Sequence, residues 1–389
     1  MVTIQTADNA LKSFYLDAVT DALDMKTNPF LARIQHTTAG VVGKDIKKLV
    51  KVGVNGGISA GSETGDLPTA TASDYVQFTA TLKNLYGTIE ISDKAIRASA
   101  NNEGAFVNLL NEEMQSMVKS ASFNFGRMLF GDGTGSIGEV KSVKTGNKVQ
   151  LDNVSGIVEG MLLDFYTPMG EMEDMCEARL VGSVDRDTNT IVLIGMEVND
   201  TTLPVGSKTY IHGSKDQEIT GIGALFSSDS TLYGVDKKKS VMKPHEQKSV
   251  GAITEAIIQK AMDKIEEKSG SKINYIVCSW GVRRALMQYC RSNDIPLPAM
   301  EVDGVQALSF NGIPVVTDRF CPAGTMYLLN TDDFKLYQLC DWQWLEGEDG
   351  KILKQIAGKP VYTATLVKYA ELMCERPCGQ GRLTGITEA

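Results

Sequence analysis

Two strand-like segments separated by a glycine-rich stretch place the strongest constraint on the fold. Asp45–Val52 reads DIKKLVKV, and residues 53–65 read GVNGGISAGSETG, without an apolar pattern. Strong alternation then runs through residues 73–91, as expected for a strand with one buried face. The pattern predicts a long hairpin with a mobile tip over residues 45–91. Because a two-stranded ribbon is only marginally stable in water, this hairpin indicates a chain that assembles with others.

Helical and strand patterns surround the predicted hairpin. Apolar residues at three- and four-residue spacing predict an amphipathic helix over residues 9–24. A second helix is predicted from Phe106 to Leu129, roughly 35 to 40 Å long at the rise of an α-helix. Short strand-like runs with turn signals between them predict a small inserted β-barrel or sandwich over residues 137–235. Helices interleaved with strands in the last third indicate an α+β or α/β sheet domain.

The overall charge and apolar content exclude several functions. The chain has 389 residues and a formal net charge of -9, from 48 acidic and 39 basic residues. Tight nucleic-acid binding usually needs a basic surplus, because phosphate neutralisation supplies most of its affinity. No apolar run approaches the roughly 18 residues of a membrane span, and the N-terminus does not resemble a secretory signal. We therefore expect no membrane association and a protein that stays in the cytoplasm where it is made.

Residues capable of catalysis are few and scattered. The three histidines, His36, His212 and His245, have no spacing typical of metal ligands, and seven cysteines without a secretory signal suggest reduced thiols. The glycine-rich segment 131–138 follows a helix and lacks the lysine of a phosphate loop. We predict no catalytic, cofactor or metal site. The enzyme hypothesis that stays open uses Cys278 or Cys290 as a nucleophile.

The order of these elements resembles that of the major capsid proteins of tailed bacteriophages, which share the Hong Kong ninety-seven-type fold. Asn28–Ile34 (NPFLARI) is similar to the N-arm of that family, and Ser73–Ile91 with the following helix resembles its extended loop and spine helix. Asn311–Asp318 (NGIPVVTD) resembles its axial-domain G-x-P-V segment. Tyr362–Gly385 is similar to its peripheral strand and closing G-x-L-T-G motif.

The resemblance implies an α+β capsid fold divided into six parts. The parts are an N-terminal arm (1–44), an extended hairpin loop (45–91), a peripheral domain with the spine helix (92–136), an inserted β-barrel-like domain (137–235), an axial domain (236–350), and peripheral strands with the C-terminus (351–389). The arm-like sequence begins almost at Met1. We therefore expect a separate scaffold or none.

The resemblance also implies a function. The chain would be a structural subunit that forms hexamers and pentamers of an icosahedral phage head, enclosing double-stranded DNA without sequence-specific binding. It would assemble in the host bacterial cytoplasm and remain in the virion, with scaffold, portal and decoration proteins as partners. An encapsulin-like nanocompartment shell is the alternative, although such shells usually lack so large a β-rich insertion.

Inter-subunit contacts are expected where an apolar face cannot be covered locally. The N-terminal helix and the hairpin are too small to bury their apolar residues, so they should be donated to neighbouring copies. The candidate contact residues are Phe14, Tyr15, Phe30, Ile34, Tyr75, Phe78, Leu82 and Tyr86.

Overall fold

A computed structural model describes residues 28–53, 55–94, 103–172, 176–295, 299–302, 305–347 and 350–389. The predicted helix over residues 9–24 lies outside these ranges. No helix in the described part of the chain is both long and apolar enough to cross a membrane.

The described chain begins with a short buried turn and a three-stranded sheet. The side chain of Asn28 accepts hydrogen bonds from the N–H groups of Phe30 (3.0 Å) and Leu31 (3.1 Å), which starts a 3-10 turn at Leu31–Arg33. The first strands are β1 (Gln35–Thr37), β2 (Val41–Val42), β3 (Asp45–Val52) and β4 (Asp74–Thr81). Strands β2, β3 and β4 pair in that order and are antiparallel.

Beyond β4 the chain departs from the predicted hairpin. Strand β5 (Lys83–Ser92) pairs with a distant strand instead of extending the ribbon to Ile91. The buried residues Leu85 and Ile89 of β5 explain this change, because they need a cover that a two-stranded ribbon does not provide. The predicted long helix is confirmed as α1 (Glu103–Phe130). Its buried side follows the predicted spacing: Met114, Val118, Ala121, Phe125 and Leu129.

A closed six-stranded barrel follows α1. Its strands are β6 (Ser136–Lys144), β7 (Lys148–Leu151), β8 (Leu162–Tyr166), β9 (Arg179–Asp185), β10 (Thr190–Ile194) and β11 (Lys208–Ile211). The barrel has its own apolar core. Residue 235, the expected end of the insertion, lies well past the last barrel strand. The chain after β11 includes the short helix α2 (Ile222–Leu225) and Tyr233, which belong to the main apolar core of the chain.

The next unit is a mixed sheet flanked by two helices. Before it, β12 (Thr231–Leu232) and β13 (Val235–Asp236) pair with each other as a separate two-stranded sheet. The elements of the mixed unit are β14 (His245–Gln247), α3 (Glu255–Ser269), β15 (Tyr275–Cys278), α4 (Trp280–Ser292), β16 (Ala299–Val302), β17 (Val305–Phe310), β18 (Ile313–Thr317) and β19 (Met326–Leu329). Thr254 and Ser279 cap the starts of α3 and α4, and Gly270 ends α3 in a left-handed conformation.

Four further strands complete two sheets. They are β20 (Phe334–Trp344), β21 (Lys354–Gln355), β22 (Val361–Cys374) and β23 (Gly381–Leu383). The seven-stranded sheet has the order β14-β23-β19-β15-β18-β17-β16. In the five-stranded sheet, β20 lies between β1 and β22, and β22 also pairs with β21 and β5. Strand β22 falls almost wholly within Tyr362–Gly385, the segment that resembles the family's peripheral strand and closing motif.

Candidate assembly interface

The root of the hairpin, formed by β3 and β4, packs against the body of its own chain. The strands pair from Asp45 opposite Thr81 to Val52 opposite Asp74. Phe78 is fully buried, its ring centre 5.9 Å from that of Tyr233. The N–H of Thr79 also donates to the Tyr233 carbonyl at 2.9 Å. The expectation that the whole hairpin lacks a local cover is therefore corrected for its root.

The tip of the hairpin, residues 55–73, extends beyond these strands and is exposed. Ile58 and Leu67 are 88% and 91% exposed. The Asn55 side chain accepts hydrogen bonds from the N–H of Gly57 (2.8 Å) and the hydroxyl of Thr71 (3.1 Å). These contacts join the two sides of the tip without covering its aliphatic side chains. Its apolar surface is thus available to another molecule.

An ionic cluster fastens the hairpin root to the five-stranded sheet. The Glu375 carboxylate lies 3.1 Å from the ammonium groups of both Lys48, on β3, and Lys335, on β20. It also accepts a hydrogen bond of 2.8 Å from the Tyr337 hydroxyl. Burial works to raise the pKa of Glu375, but the hydrogen bonds from these three residues outweigh it and hold the pKa below its usual value.

The eight predicted contact residues fall into three groups. Phe14 and Tyr15 lie outside the described residues. Tyr75 and Tyr86 are 54% and 60% exposed, so contact with a neighbour stays a prediction there. The other four are buried in the main core of the same chain: Phe30, Ile34, Phe78 and Leu82. For those four the expectation of inter-subunit contact is corrected, because almost no surface remains for a neighbour.

The segment that returns from the barrel to the body is held by buried charged groups. Arg127 on α1 forms a bidentate ion pair with Glu218, with 3.0 Å between Nη1 and Oε2, and their side chains are 8% and 3% exposed. Two residues later, the N–H of Thr220 donates to the Glu371 carboxyl at 2.6 Å. These contacts connect the barrel to α1 and to β22.

Glu371 is a fully buried carboxyl with a strongly altered pKa. Burial raises its pKa to about 7, against the lowering effects of the Thr220 hydrogen bonds and the charge of Lys83. A carboxyl with this pKa changes protonation close to neutral pH. The contact between Thr220, in the segment after the barrel, and Glu371, on β22, therefore includes a carboxyl that can titrate near neutral pH.

A buried lysine joins β22 to β20 and α1. Lys368 is 2% exposed, and its Nζ lies 2.5 Å from Oδ1 of Asp341 and 4.9 Å from the ring centre of Phe125. Burial works to raise the pKa of Asp341, but the ammonium of Lys368 outweighs it and lowers that pKa. The lysine is thus compensated by a carboxylate and by an aromatic face.

Cys278 and Cys290, the candidate nucleophiles of the enzyme hypothesis, lie in surroundings that disfavour the reactive thiolate. Cys278 is completely buried, and burial raises the pKa of its thiol to about 12. Burial also raises the pKa of Cys290. Because the thiolate is the reactive form, both positions disfavour nucleophilic catalysis. No cluster of three metal-ligating side chains occurs among the residues that the structure describes.

The sequence analysis did not single out the buried charged residues of β22, Lys368 and Glu371. Lys368 and Glu371 interrupt the apolar run of β22, and this interruption was the available signal. Charged residues inside a strand with two covered faces need partners. The partners themselves were not predictable, because Thr220 is 151 residues away from Glu371 along the chain.

Comparisons with known proteins address the fold. No protein-family model matches the sequence, and no curated protein matches it. The capsid asymmetric unit of cyanophage A-1(L) matches over 94% of this chain and 94% of that one, with 14% identity and a TM-score of 0.56.

Two further solved structures are more distant. The capsid of a native GTA particle covers 93% of this chain and 92% of its own, with 12% identity and a TM-score of 0.47. An encapsulin complex from Synechococcus elongatus covers 92% and 88%, with 11% identity and a TM-score of 0.45. These two scores are too low to carry an argument. The cyanophage match and the order of elements show that this chain has the Hong Kong ninety-seven-type α+β fold of phage capsid proteins.

Proposed function

We propose that this chain is the major capsid protein of a tailed phage, a structural subunit that forms hexamers and pentamers of an icosahedral head around double-stranded DNA. The observation that carries the proposal is the exposed hairpin tip on a capsid-type fold. Its aliphatic residues Ile58 and Leu67 are left uncovered by the subunit itself. Apolar surface of this kind favours a partner, and in a closed shell that partner is a neighbouring copy.

The proposal extends to location and partners. The subunit would assemble in the host bacterial cytoplasm, remain in the virion, and work with scaffold, portal and decoration proteins. Tyr75 and Tyr86 are the described candidates that keep enough exposed surface to contact neighbouring subunits. The acidic net charge of -9 fits a container that encloses DNA without gripping it through sequence-specific contacts.

Electron microscopy of the full-length protein tests this function. The chain would be produced in bacteria, alone and together with a candidate scaffold protein, and imaged in negative stain. We expect closed shells, or rings of five and six subunits. A protein that stays monomeric at high concentration, at several salt concentrations and with the scaffold present would contradict the proposal.

The contents of the shells separate the phage head from the nanocompartment alternative. Shells purified from infected or induced cells would be treated with nuclease and then opened. Protected double-stranded DNA of uniform length is expected for a phage head. A single co-purifying enzyme without DNA would favour the nanocompartment.

A further inference from the structure

The sequence contains two Asn-Gly pairs, Asn55-Gly56 in the hairpin tip and Asn311-Gly312 in the turn between β17 and β18. An asparagine in such a pair can react with its own main chain, because the nitrogen of the next residue can attack the side-chain amide carbon. Glycine favours the reaction, since it has no side chain to hinder the approach. The structure places the two pairs in contrasting surroundings.

The side-chain amide of Asn55 is held against the main chain that follows it. The N–H of Gly57 donates to Oδ1 of Asn55 at 2.8 Å. This hydrogen bond closes a ring of atoms that contains both Cγ of Asn55 and the nitrogen of Gly56. A Cβ at Gly57 would lie 3.0 Å from the same oxygen, so glycine is needed for this close approach. The amide carbon and the attacking nitrogen are thereby kept in one tight turn.

A second donor reaches Oδ1 of Asn55 from the opposite side of the tip. The hydroxyl of Thr71 donates to this oxygen at 3.1 Å. Negative charge develops on an amide oxygen when a nucleophile attacks the carbon that carries it. Two donors already aimed at that oxygen therefore form an oxyanion hole, which stabilises the charge without reorienting during the reaction.

The tip leaves room for this arrangement and gives water access to it. A Cβ at Gly56 would lie 3.2 Å from Oγ1 of Thr71, which is tighter than an ordinary van der Waals contact. A side chain at this position would thus push the hydroxyl away from Asn55. Asn55, Gly56 and Thr71 are all exposed, so water can reach the product of the attack.

Asn311 lies in a more constrained setting. Asn311 and Gly312 have φ values of 49° and 80°, as expected for the two-residue hairpin turn that favours Asn-Gly. The strands β17 and β18 are paired up to this turn. Nδ2 of Asn311 also donates to Oε1 of Gln259, on α3, at 2.9 Å. Attack on its amide would have to break contacts that the strand pairing and α3 maintain.

We propose that Asn55 is a self-modifying site, at which the nitrogen of Gly56 attacks Cγ of Asn55 and a cyclic imide forms. The bond from this nitrogen to Cγ forms while the bond from Cγ to Nδ2 breaks. The proton of the Gly56 N–H passes to water, and the side-chain nitrogen leaves as ammonia. Water then opens the imide at either carbonyl and leaves an aspartate or an isoaspartate. The inference goes beyond the proposed shell function and does not depend on it.

The modification changes both the charge and the shape of the tip. It converts a neutral amide into a carboxylate in a segment that already contains Glu63 and Asp66 and has no lysine or arginine. The isoaspartate product also routes the main chain through the side-chain carbon of residue 55. The fold should be unaffected, because the exposed tip contributes no residue to the buried core.

Peptide mapping of the full-length protein by mass spectrometry tests the inference. The purified chain would be incubated near neutral pH and digested at intervals, and conversion of the amide to the acid would be quantified at both pairs. Asn55 should convert at least about tenfold faster than Asn311. The rate at Asn55 should rise with pH, because the nitrogen of Gly56 attacks only after it loses its proton. Enzymatic methylation of isoaspartate identifies the second product.

Variants of Thr71 separate assistance by the structure from the reactivity of any Asn-Gly pair. Thr71→Val keeps the shape of the side chain but removes the donor, and should slow conversion of Asn55 by about fivefold, the effect of one hydrogen bond on a barrier. Thr71→Ser keeps a hydroxyl and should restore most of the rate. The matched control is Thr69→Val, the same change at another exposed position of the tip, which should react like the wild type.

The outcomes decide the inference without reference to assembly. A wild-type rate in Thr71→Val would overturn it, because conversion would then follow from the Asn-Gly pair alone. Equal rates at Asn55 and Asn311, or an Asn55 that stays an amide throughout, would also overturn it. Denaturation midpoints measured in parallel verify that each variant keeps its fold. Since rates are compared under one set of conditions, the result is the same test whether or not the chain forms shells.

Discussion

Arg127 and Glu218 form a buried bidentate ion pair that ties helix α1 to the segment returning from the barrel. The two residues are 91 positions apart in the sequence. Both side chains are almost completely removed from water, so each charge depends on the other for compensation. The pair is one of the contacts that link the segment after the barrel to the main body, and the buried apolar clusters of barrel and body are separate among the described residues.

Breaking this ion pair should destabilise the subunit strongly. Glu218→Gln leaves the Arg127 guanidinium buried without its counter-charge, a change that costs about 3 to 5 kcal/mol of unfolding free energy. Urea denaturation followed by tryptophan fluorescence measures this cost. The control is Glu139→Gln in the exposed Glu139–Lys141 pair, which should leave the midpoint unchanged. Equal midpoints for the two variants would contradict the role of the buried pair.

The buried carboxyl of Glu371 should make stability depend on pH. Its pKa is 4.5 in the unfolded chain and about 7 in the folded one, so folding favours the protonated form. This contribution is complete below pH 4.5 and is lost as the pH rises through about 7. Glu371→Gln stays neutral. Its unfolding free energy should therefore rise relative to the wild type between about pH 5 and about pH 8.

Urea denaturation at a series of pH values provides this comparison. Glu90→Gln, at an exposed position on the neighbouring strand β5, is the control and should follow the wild-type profile. Parallel profiles for the wild type and Glu371→Gln would show that Glu371 does not titrate in this range.

Two aromatic residues of β4 should respond differently to truncation. Phe78→Ala removes a fully buried ring that packs on Tyr233, and should lower the unfolding free energy by about 3 to 5 kcal/mol. Tyr75→Ala, on the exposed face of the same strand, should change it by less than about 0.5 kcal/mol. Thermal and urea denaturation of both variants measure the difference. A large loss for Tyr75→Ala would mean that β4 is packed the other way round.

Removing the hairpin tip should separate folding from assembly. In this variant an Asn-Gly turn replaces residues 53–73 and joins Val52 to Asp74, which are paired at the end of the two strands. The denaturation midpoint should match the wild type, because the tip buries no core residue. Shells should be absent by negative-stain microscopy. An unfolded product would place the tip within the fold of the subunit instead of at its interface.

Much of the secondary structure was predictable because it depends on local patterns. The spacing of apolar residues predicted α1, and the left-handed Gly270 that ends α3 is a residue type that commonly ends helices. The turn residues between Lys148 and Ile211 separated the strands of the barrel. Each of these signals acts over a few residues, within the range in which backbone hydrogen bonds and turn geometry are decided.

The interface was predicted less completely. Alternation in β4 showed that Val76 and Phe78 share a face, but not that Tyr233 of the same subunit covers it. Those residues consequently seemed to need a neighbour. The exposed tip is the part for which the expectation of an uncovered apolar surface agrees with the structure.

By itself the sequence determined the type of most elements, their order and the apolar side of each. Only the tertiary structure decided which element covers that side, as with β5 on β22 and Thr220 against Glu371. The reason is physical. The spacing of apolar residues shows which face of an element is buried. Which other element packs on that face depends on the shape and charge of residues far away in the sequence.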